Sequence, residues 1–317
     1  MGRQASVPPE LAGERLDRAA AVLFPEFSRA MLSRWIQGGE LTVDGAPGRP
    51  KHRLAGGEVL RLDATLVPRE DWTSAEAVAF DVVYQDDALL VVDKPPGVVV
   101  HPGAGNPRGT LVNGLLNRFP ELEHLPRAGI VHRLDKDTSG LLLVARTVQA
   151  QHALGKLLAR REISRRYQAV VEGTLTGGLD IDRPIGRDPV RRTRQAVRAD
   201  GRPSLTRVRV LARYRAHTLV EATLETGRTH QIRVHLASIG HPLVGDARYG
   251  ARGRLPTRAD EETVAVLRGF RRQALHAWKL RLDHPDTGRE LRFTAPPPAD
   301  FAALVAALEA DAEGHDG

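Results

Sequence analysis

The sequence predicts an α+β fold in two parts, a small N-terminal module and a larger domain around a mixed or antiparallel sheet. Three observations carry this. The 317 residues exceed one typical domain. A poorly patterned stretch over 64–79, holding Pro68, Arg69, Glu70 and Asp71, reads as a linker. Beyond it, strand-like and helical patterns mix without regular alternation, which points to an α+β domain.

The first module is placed at 13–75. Arg15-Leu16-Asp17 opens an amphipathic helix through Leu23, and Ser28 is a natural N-cap for a second helix. That helix carries Leu32, Trp35 and Ile36 on one face, leaves Arg29 and Arg34 off it, and stops at Gly38-Gly39. A strand from Leu41, an Asp44-Gly45 turn and a returning strand over 58–62 complete the unit. In the second domain, at 80–300, strands are expected over 80–84, 88–93, 140–146, 167–172, 206–212 and 218–225. Helices are expected over 110–117, 148–160 and 229–239. Residues 301–317 read as a C-terminal tail, acidic and frayed from Glu309 onward.

Net charge is +7, with a pI near 10.2, which points to a polyanionic partner. Only five of the 46 basic residues are lysine, so part of the arginine excess reflects codon composition as readily as RNA binding. Eleven arginines between Arg183 and Arg215, against Asp182, Asp188 and Asp200, suit phosphate tracking or a solvated loop. The absence of cysteine excludes disulfides, thiolate zinc sites and a cysteine nucleophile, and suits a reducing cytoplasm. No signal-peptide core or membrane-length apolar run is read, so no membrane partner is expected.

The most informative segment is Gly129-Ile-Val-His-Arg-Leu-Asp-Lys-Asp-Thr-Ser-Gly140, followed by Leu141-Leu-Leu-Val-Ala145. It sets Asp135 and Asp137 among His132, Arg133 and Lys136 just before a strand, a place from which a loop can aim reactive groups. His132 to Gly140 resembles the signature of the pseudouridine synthases that modify bacterial large-subunit ribosomal RNA and some transfer RNAs. Asp93-Lys-Pro-Pro-Gly97 with the loop 100–107, Arg165-Arg-Tyr167, Thr226-Gly-Arg-Thr-His-Gln-Ile-Arg233, His241-Pro-Leu-Val-Gly-Asp246 and Gln273-Ala-Leu275 resemble further blocks of the same family. Together they span nearly the whole chain. The module at 13–63 resembles the S4 (αL) RNA-binding domain.

The resemblance implies a pseudouridine synthase fold, and it makes Asp135 the catalytic aspartate and Arg233 the arginine paired with it. A bidentate guanidinium pair would orient Asp135 and favour its ionised form. Asp137, with Thr138 and Ser139, is assigned to satisfying backbone donors in the turn. Tyr167 would pack on the target base, though alternation along its strand also allows a core tyrosine. Arg133 would enter the RNA stack in place of the flipped base, or contact a phosphate. Leu275 would line the uracil pocket, and His132 and Arg228 join the substrate-binding set with Arg29 and Arg34. Thr229 is read as the cap of a helix with Ile232 and Leu236 facing the core. His230 and His235 lack a third ligand at suitable spacing, so no metal is expected, and no cofactor.

The expected activity is isomerisation of uridine to pseudouridine in structured RNA by a monomer, with 23S rRNA or a pre-50S particle as substrate. A transfer-RNA substrate and a non-catalytic RNA-binding protein are the alternatives. The second would need no intact set of Asp135, Tyr167 and Arg233. Asp135-Lys-Asp137 also resembles the D-x-D loop of magnesium-dependent phosphotransferases, but those acids directly follow an apolar strand, and here His132-Arg133-Leu134 intervenes.

Overall fold

A computed structural model describes residues 2–25, 27, 29–64, 74–103, 105–250 and 253–315, apart from the side chains of Arg29 and Ala30. The chain divides into two units, Met1–Asp71 and Trp72–Gly317.

The first unit contains β1 (Gly2–Ser6), α1 (Leu16–Leu23), α2 (Arg29–Gly38), β2 (Leu41–Val43), β3 (Ala46–Pro47) and β4 (Val59–Asp63). Its antiparallel sheet has the order β1-β4-β2-β3. Leu16, Ala19 and Ala20 of α1 and Leu32, Trp35 and Ile36 of α2 bury against Leu41, Leu60 and Leu62. Asp44 and Gly45 both take positive φ, 50° and 80°, in the turn between β2 and β3, as the Asp-Gly pair predicts. The start expected at residue 13 is too late. β1 lacks the alternation that marks a half-buried strand, and it is recruited by backbone pairing with β4, Ala5 opposite Leu60. The expected cap Ser28 and Pro68 to Asp71 lie outside the described residues.

The second unit runs β5 (Asp81–Gln85), β6 (Leu89–Lys94), α3 (Leu111–Arg118), β7 (Ser139–Ala145), α4 (Val148–Arg160) and β8 (Ser164–Glu172). It continues through β9 (Leu179–Asp182), β10 (Ile185–Arg187), β11 (Gln195–Val197), β12 (Leu205–Arg213), β13 (His217–Leu224) and α5 (Gln231–Ser238). It ends with α6 (Glu261–Gly269), β14 (Leu275–Asp283), β15 (Glu290–Thr294) and α7 (Ala299–Glu313). The main sheet has the order β5-β6-β7-β14-β8-β13-β12-β9, with β15 also on β14. β7 and β14 pair in parallel and the other pairs are antiparallel, so the sheet is mixed.

Both faces of this sheet are covered, which is why β6 and β7 read as continuous apolar runs. Leu90, Val92, Leu142 and Val144 face Leu111 and Leu115 of α3 and Ile232 and Leu236 of α5. Leu89, Val91, Leu141 and Leu143 face Ala150 and Leu154 of α4. The expected frayed tail is instead α7. Phe301, Leu304 and Leu308, spaced three and four apart, bury against Val244, Leu267 and Phe270.

The topology sets the position of the site. Because β7 and β14 run parallel, with Ser139 opposite His276, the loop entering β7 and the first residue of β14 lie at the same end of the sheet. β8 runs antiparallel beside β14 and places Tyr167 opposite Ala277. Gly140, at φ 110°, allows the close approach, since a Cβ there would strike the carbonyl of Ala277.

Candidate active site

The loop before β7 is anchored from beneath by Lys94. Its ammonium is fully buried and donates to the carbonyls of Pro95 at 2.8 Å, Val98 at 2.9 Å and Lys136 at 2.9 Å. The carbonyl of Lys136 also accepts the N–H of Gly97 at 3.0 Å. Burial pulls the Lys94 pKa down to about 7, against the attraction of Asp137 and Asp135. Of the nearby carboxylates, Asp137 attracts this buried cation most strongly. Its expected companions do not cap backbone donors: the Thr138 hydroxyl accepts from Gln273 Nε2 at 3.0 Å, and the Ser139 hydroxyl lies 3.0 Å from His276 Nδ1. Arg272 adds a second anchor by donating to the carbonyl of Asp137 at 3.1 Å while it pairs with Asp300 of α7. The tail helix thus braces the loop.

Asp135 sits at the top of this loop with its side chain 16 % exposed. Arg233 Nη1 donates to its Oδ2 at 2.9 Å. The fork expected on Asp135 is spent elsewhere: Arg233 Nε and Nη2 donate to Asp246 at 2.7 and 2.9 Å. Asp246 accepts as well from the backbone N–H of Arg248 at 2.9 Å and of Tyr249 at 3.0 Å. Burial opposes its ionisation, but Arg233 and these N–H groups hold its carboxyl below the usual carboxylate range. Gly245, at φ 72°, lets this turn press against the carbonyls of Phe270 and Arg272, where a Cβ would not fit. The Tyr249 ring lies 5.1 Å from the Arg233 guanidinium.

Tyr167, Ala169 and Val171 share one buried face of β8, as alternation predicts. Burial raises the Tyr167 phenol pKa, opposed by Arg165 and reinforced by Asp135. With Leu275, Leu224 and Asp135, Tyr167 lines a small cavity of about 50 Å³. Two larger depressions, of about 760 and 540 Å³, open from the same point. Asp135, Arg133 and His230 line all three. Arg127, Arg133, Arg165 and Arg228 border one depression, and Arg248, Arg271 and Arg272 the other, so the approach to Asp135 is strongly basic.

The remaining predicted residues divide. Arg133 is exposed at the rim. Arg228 lines the cleft, and its backbone N–H donates to Gln231 Oε1 at 3.0 Å. His132 also lines the cleft, but its Nε2 accepts the N–H of Leu143 at 3.1 Å, and burial followed by Arg165 drives its pKa down to about 3. Thr229 does not cap α5. The residue before that helix is His230, at φ 57°, and Gln231 reaches back to accept from the Thr226 hydroxyl at 2.8 Å. His235 is occupied by Thr206 and the carbonyl of Arg183, both at 2.9 Å. Arg34 is exposed on α2 of the first unit, and the Arg29 side chain lies outside the described residues.

Of the eleven arginines between Arg183 and Arg215, several are tied down. Arg198, Arg207, Arg209 and Arg215 pair with carboxylates, and Arg183 and Arg213 donate to carbonyls. Arg187, Arg191, Arg192 and Arg202 remain exposed on and around the β10–β11 ribbon. Asp246, Tyr249, Arg272 and Gln273 carry much of the geometry without having been singled out by sequence. The only signal was that Asp246 and Gln273 lie in family-like blocks.

Residues 88–238 match the sequence profile of a family described as RNA pseudouridylate synthase. A relative from Xanthomonas campestris pv. campestris, named ribosomal large subunit pseudouridine synthase D, is 52 % identical over 98 % of this chain and 93 % of its own. The protein of that name from Pseudomonas aeruginosa is 50 % identical over 99 % of this chain and 98 % of its own. Among solved structures, human RNA pseudouridylate synthase domain containing 1 superposes with a TM-score of 0.57 at 27 % identity, covering 74 % of this chain and 89 % of that one.

Proposed function

The chain belongs to the RNA pseudouridylate synthase family and is an RNA pseudouridine synthase; we propose that it acts on 23S rRNA of the large ribosomal subunit, with Asp135 as the reacting carboxylate. The observation that carries the residue assignment is the state of Asp135. Its Oδ2 is held by Arg233 at 2.9 Å, its Oδ1 makes no hydrogen bond among the described residues, and the residue lines the same cavity as Tyr167 and Leu275. The isomerisation breaks the N1–C1′ bond, turns the uracil and joins C5 to C1′. It needs an ionised carboxylate, a cation to orient it and a flat apolar clamp for a base out of its stack. Arg233 supplies the cation, Tyr167 and Leu275 the clamp. Arg133, exposed at the rim, takes the place the flipped base leaves. His132 shapes the pocket wall, and Arg228 with its neighbours holds the flanking phosphates.

The choice of ribosomal RNA rests on relatives of near full length named for the large subunit. We read the first unit as an S4-type RNA-binding domain on its α1-α2-β2-β3 order, with the exposed Arg34 on the RNA side. The substrate is 23S rRNA, free or within a pre-50S particle. Pseudouridine mapping in total RNA from cells with and without this protein tests the proposal. Loss at large-subunit sites is expected. Loss confined to transfer RNA would move the substrate, and no loss in any RNA would overturn the reading.

A further inference from the structure

Asp135 has a second neighbour besides Arg233. His230 Nε2 lies 3.9 Å from Asp135 Oδ1, too far for a hydrogen bond in this state. The ring is placed there at a conformational cost. His230 takes φ 57°, a left-handed conformation that non-glycine residues rarely adopt. Its other nitrogen, Nδ1, lies 2.7 Å from the Tyr249 hydroxyl, and the two rings meet edge to face at 5.5 Å.

The partners of Tyr249 decide which nitrogen of His230 bears the proton. The phenol oxygen accepts the backbone N–H of Gln195, the first residue of β11, at 2.9 Å. Its own proton is then best used toward His230 Nδ1. The reverse arrangement would leave that proton without an acceptor among the described residues. A neutral imidazole that accepts at Nδ1 carries its hydrogen on Nε2, the nitrogen facing Asp135. Burial keeps the ring neutral at pH 7, with a pKa lowered to about 4 despite Asp135, while Arg233 and Arg248 push the same way.

We propose that Tyr249 and His230 form a positioning pair, in which Tyr249 locks the His230 tautomer and the Nε2–H closes onto Asp135 Oδ1 when substrate displaces water from the cleft. The assignment rests on the reading of Asp135 as the reacting carboxylate. A neutral donor suits this place. Arg233 already supplies the charge, and a second cation would stabilise the carboxylate further and weaken it as a nucleophile. The pair is also tied to the arginine-bearing ribbon, because the N–H that orients Tyr249 belongs to β11 and Arg248 Nη1 donates to the carbonyl of Thr193 at 2.9 Å.

Two measurements on the full chain test the pair. Nitrogen-15 NMR of the histidine rings, with the His230 signals identified by their loss in His230→Gln, should show the Nε2–H tautomer in the wild type and a mixture in Tyr249→Phe. An Nδ1–H tautomer in the wild type would overturn the proposal whether or not the protein is active on the RNA tried. The second is single-turnover kinetics on an RNA the wild type modifies. Tyr249→Phe should lower the rate constant on the order of tenfold with RNA affinity unchanged, and His230→Ala at least as much. In a His230→Gln background, Tyr249→Phe should cost nothing, because an amide donor has no tautomer to lock. An equal loss in both backgrounds would mark Tyr249 as merely structural and sink the pair. Failure of the wild type to form pseudouridine in any RNA would count against the proposed function, while the tautomer would still decide the pair.

Discussion

Asp246 holds Arg233 by both Nε and Nη2, at 2.7 and 2.9 Å, and so leaves a single N–H, Nη1, for Asp135. The arginine is a rigid strut between a buried carboxylate and a reacting one. Asp246→Ala should destabilise the fold by about 3–5 kcal/mol, since it leaves a buried guanidinium short of its partner. It should also slow the chemical step on the order of 10²-fold by releasing Nη1. Denaturant unfolding and single-turnover assays check the two effects, and wild-type behaviour in both would show that the strut is dispensable.

Arg233→Lys should recover only part of what Arg233→Ala loses. One ammonium cannot span Asp246 and Asp135 in the geometry that three N–H groups hold. A wild-type single-turnover rate for Arg233→Lys would speak against a geometric role.

Asp135→Asn should abolish pseudouridine formation and leave RNA affinity within a few-fold, because binding of this basic cleft is dominated by phosphates. Appreciable turnover by the asparagine variant would remove Asp135 from the reaction.

Acid should unfold the protein early. Burial lowers the pKa of His101, His217 and His230 to about 4 and of His132 to about 3. Their stabilisation is complete above the unfolded value near 6.5 and is lost as pH falls toward 4, because the unfolded chain takes up protons the folded one refuses. Each contributes a slope of up to about 1.4 kcal/mol per pH unit. Asp93, raised to about 6 by burial, and Glu172, also raised by burial, oppose this over the same window. Burial also lowers His235 and His276, so the histidines outweigh the two carboxyls and the denaturant midpoint should drop steadily from pH 6.5 to 4.5. A flat profile would contradict the buried neutral histidines.

Phe301→Ala should cost about 3–5 kcal/mol, the penalty of emptying a packed aromatic site. Phe301 is 1 % exposed on α7. A frayed tail would show no change in unfolding midpoint.

Removing residues 1–71 should leave a folded second unit, since every residue around Asp135 lies beyond it. RNA affinity should weaken and the salt dependence flatten by about 0.7–0.9 in slope for each phosphate the first unit neutralises. An unchanged titration at several salt concentrations would remove the first unit from RNA binding.

What the sequence determined by itself was local. The Asp44-Gly45 turn, the buried alternation of Tyr167, Ala169 and Val171, and the inward face of Ile232 and Leu236 each follow from neighbours two to four residues apart, where periodicity and turn chemistry act. The loop around Asp135 was legible because its residue types and order are unusual for a packed core. Tertiary structure alone decided the rest. Nothing in the spacing of Arg233 and Asp246 announces a bidentate pair, nor does that of Lys94 and Lys136 announce a buried ammonium under a backbone carbonyl. Leu275 reaches the Asp135 loop because β14 lies parallel to β7, a pairing between segments more than a hundred residues apart. β1 and α7 escaped for the same reason: one is held by backbone pairing, the other by a hydrophobic face whose partners come from distant elements. Contacts across such separations leave no periodic trace in the chain, so only the folded arrangement selects them.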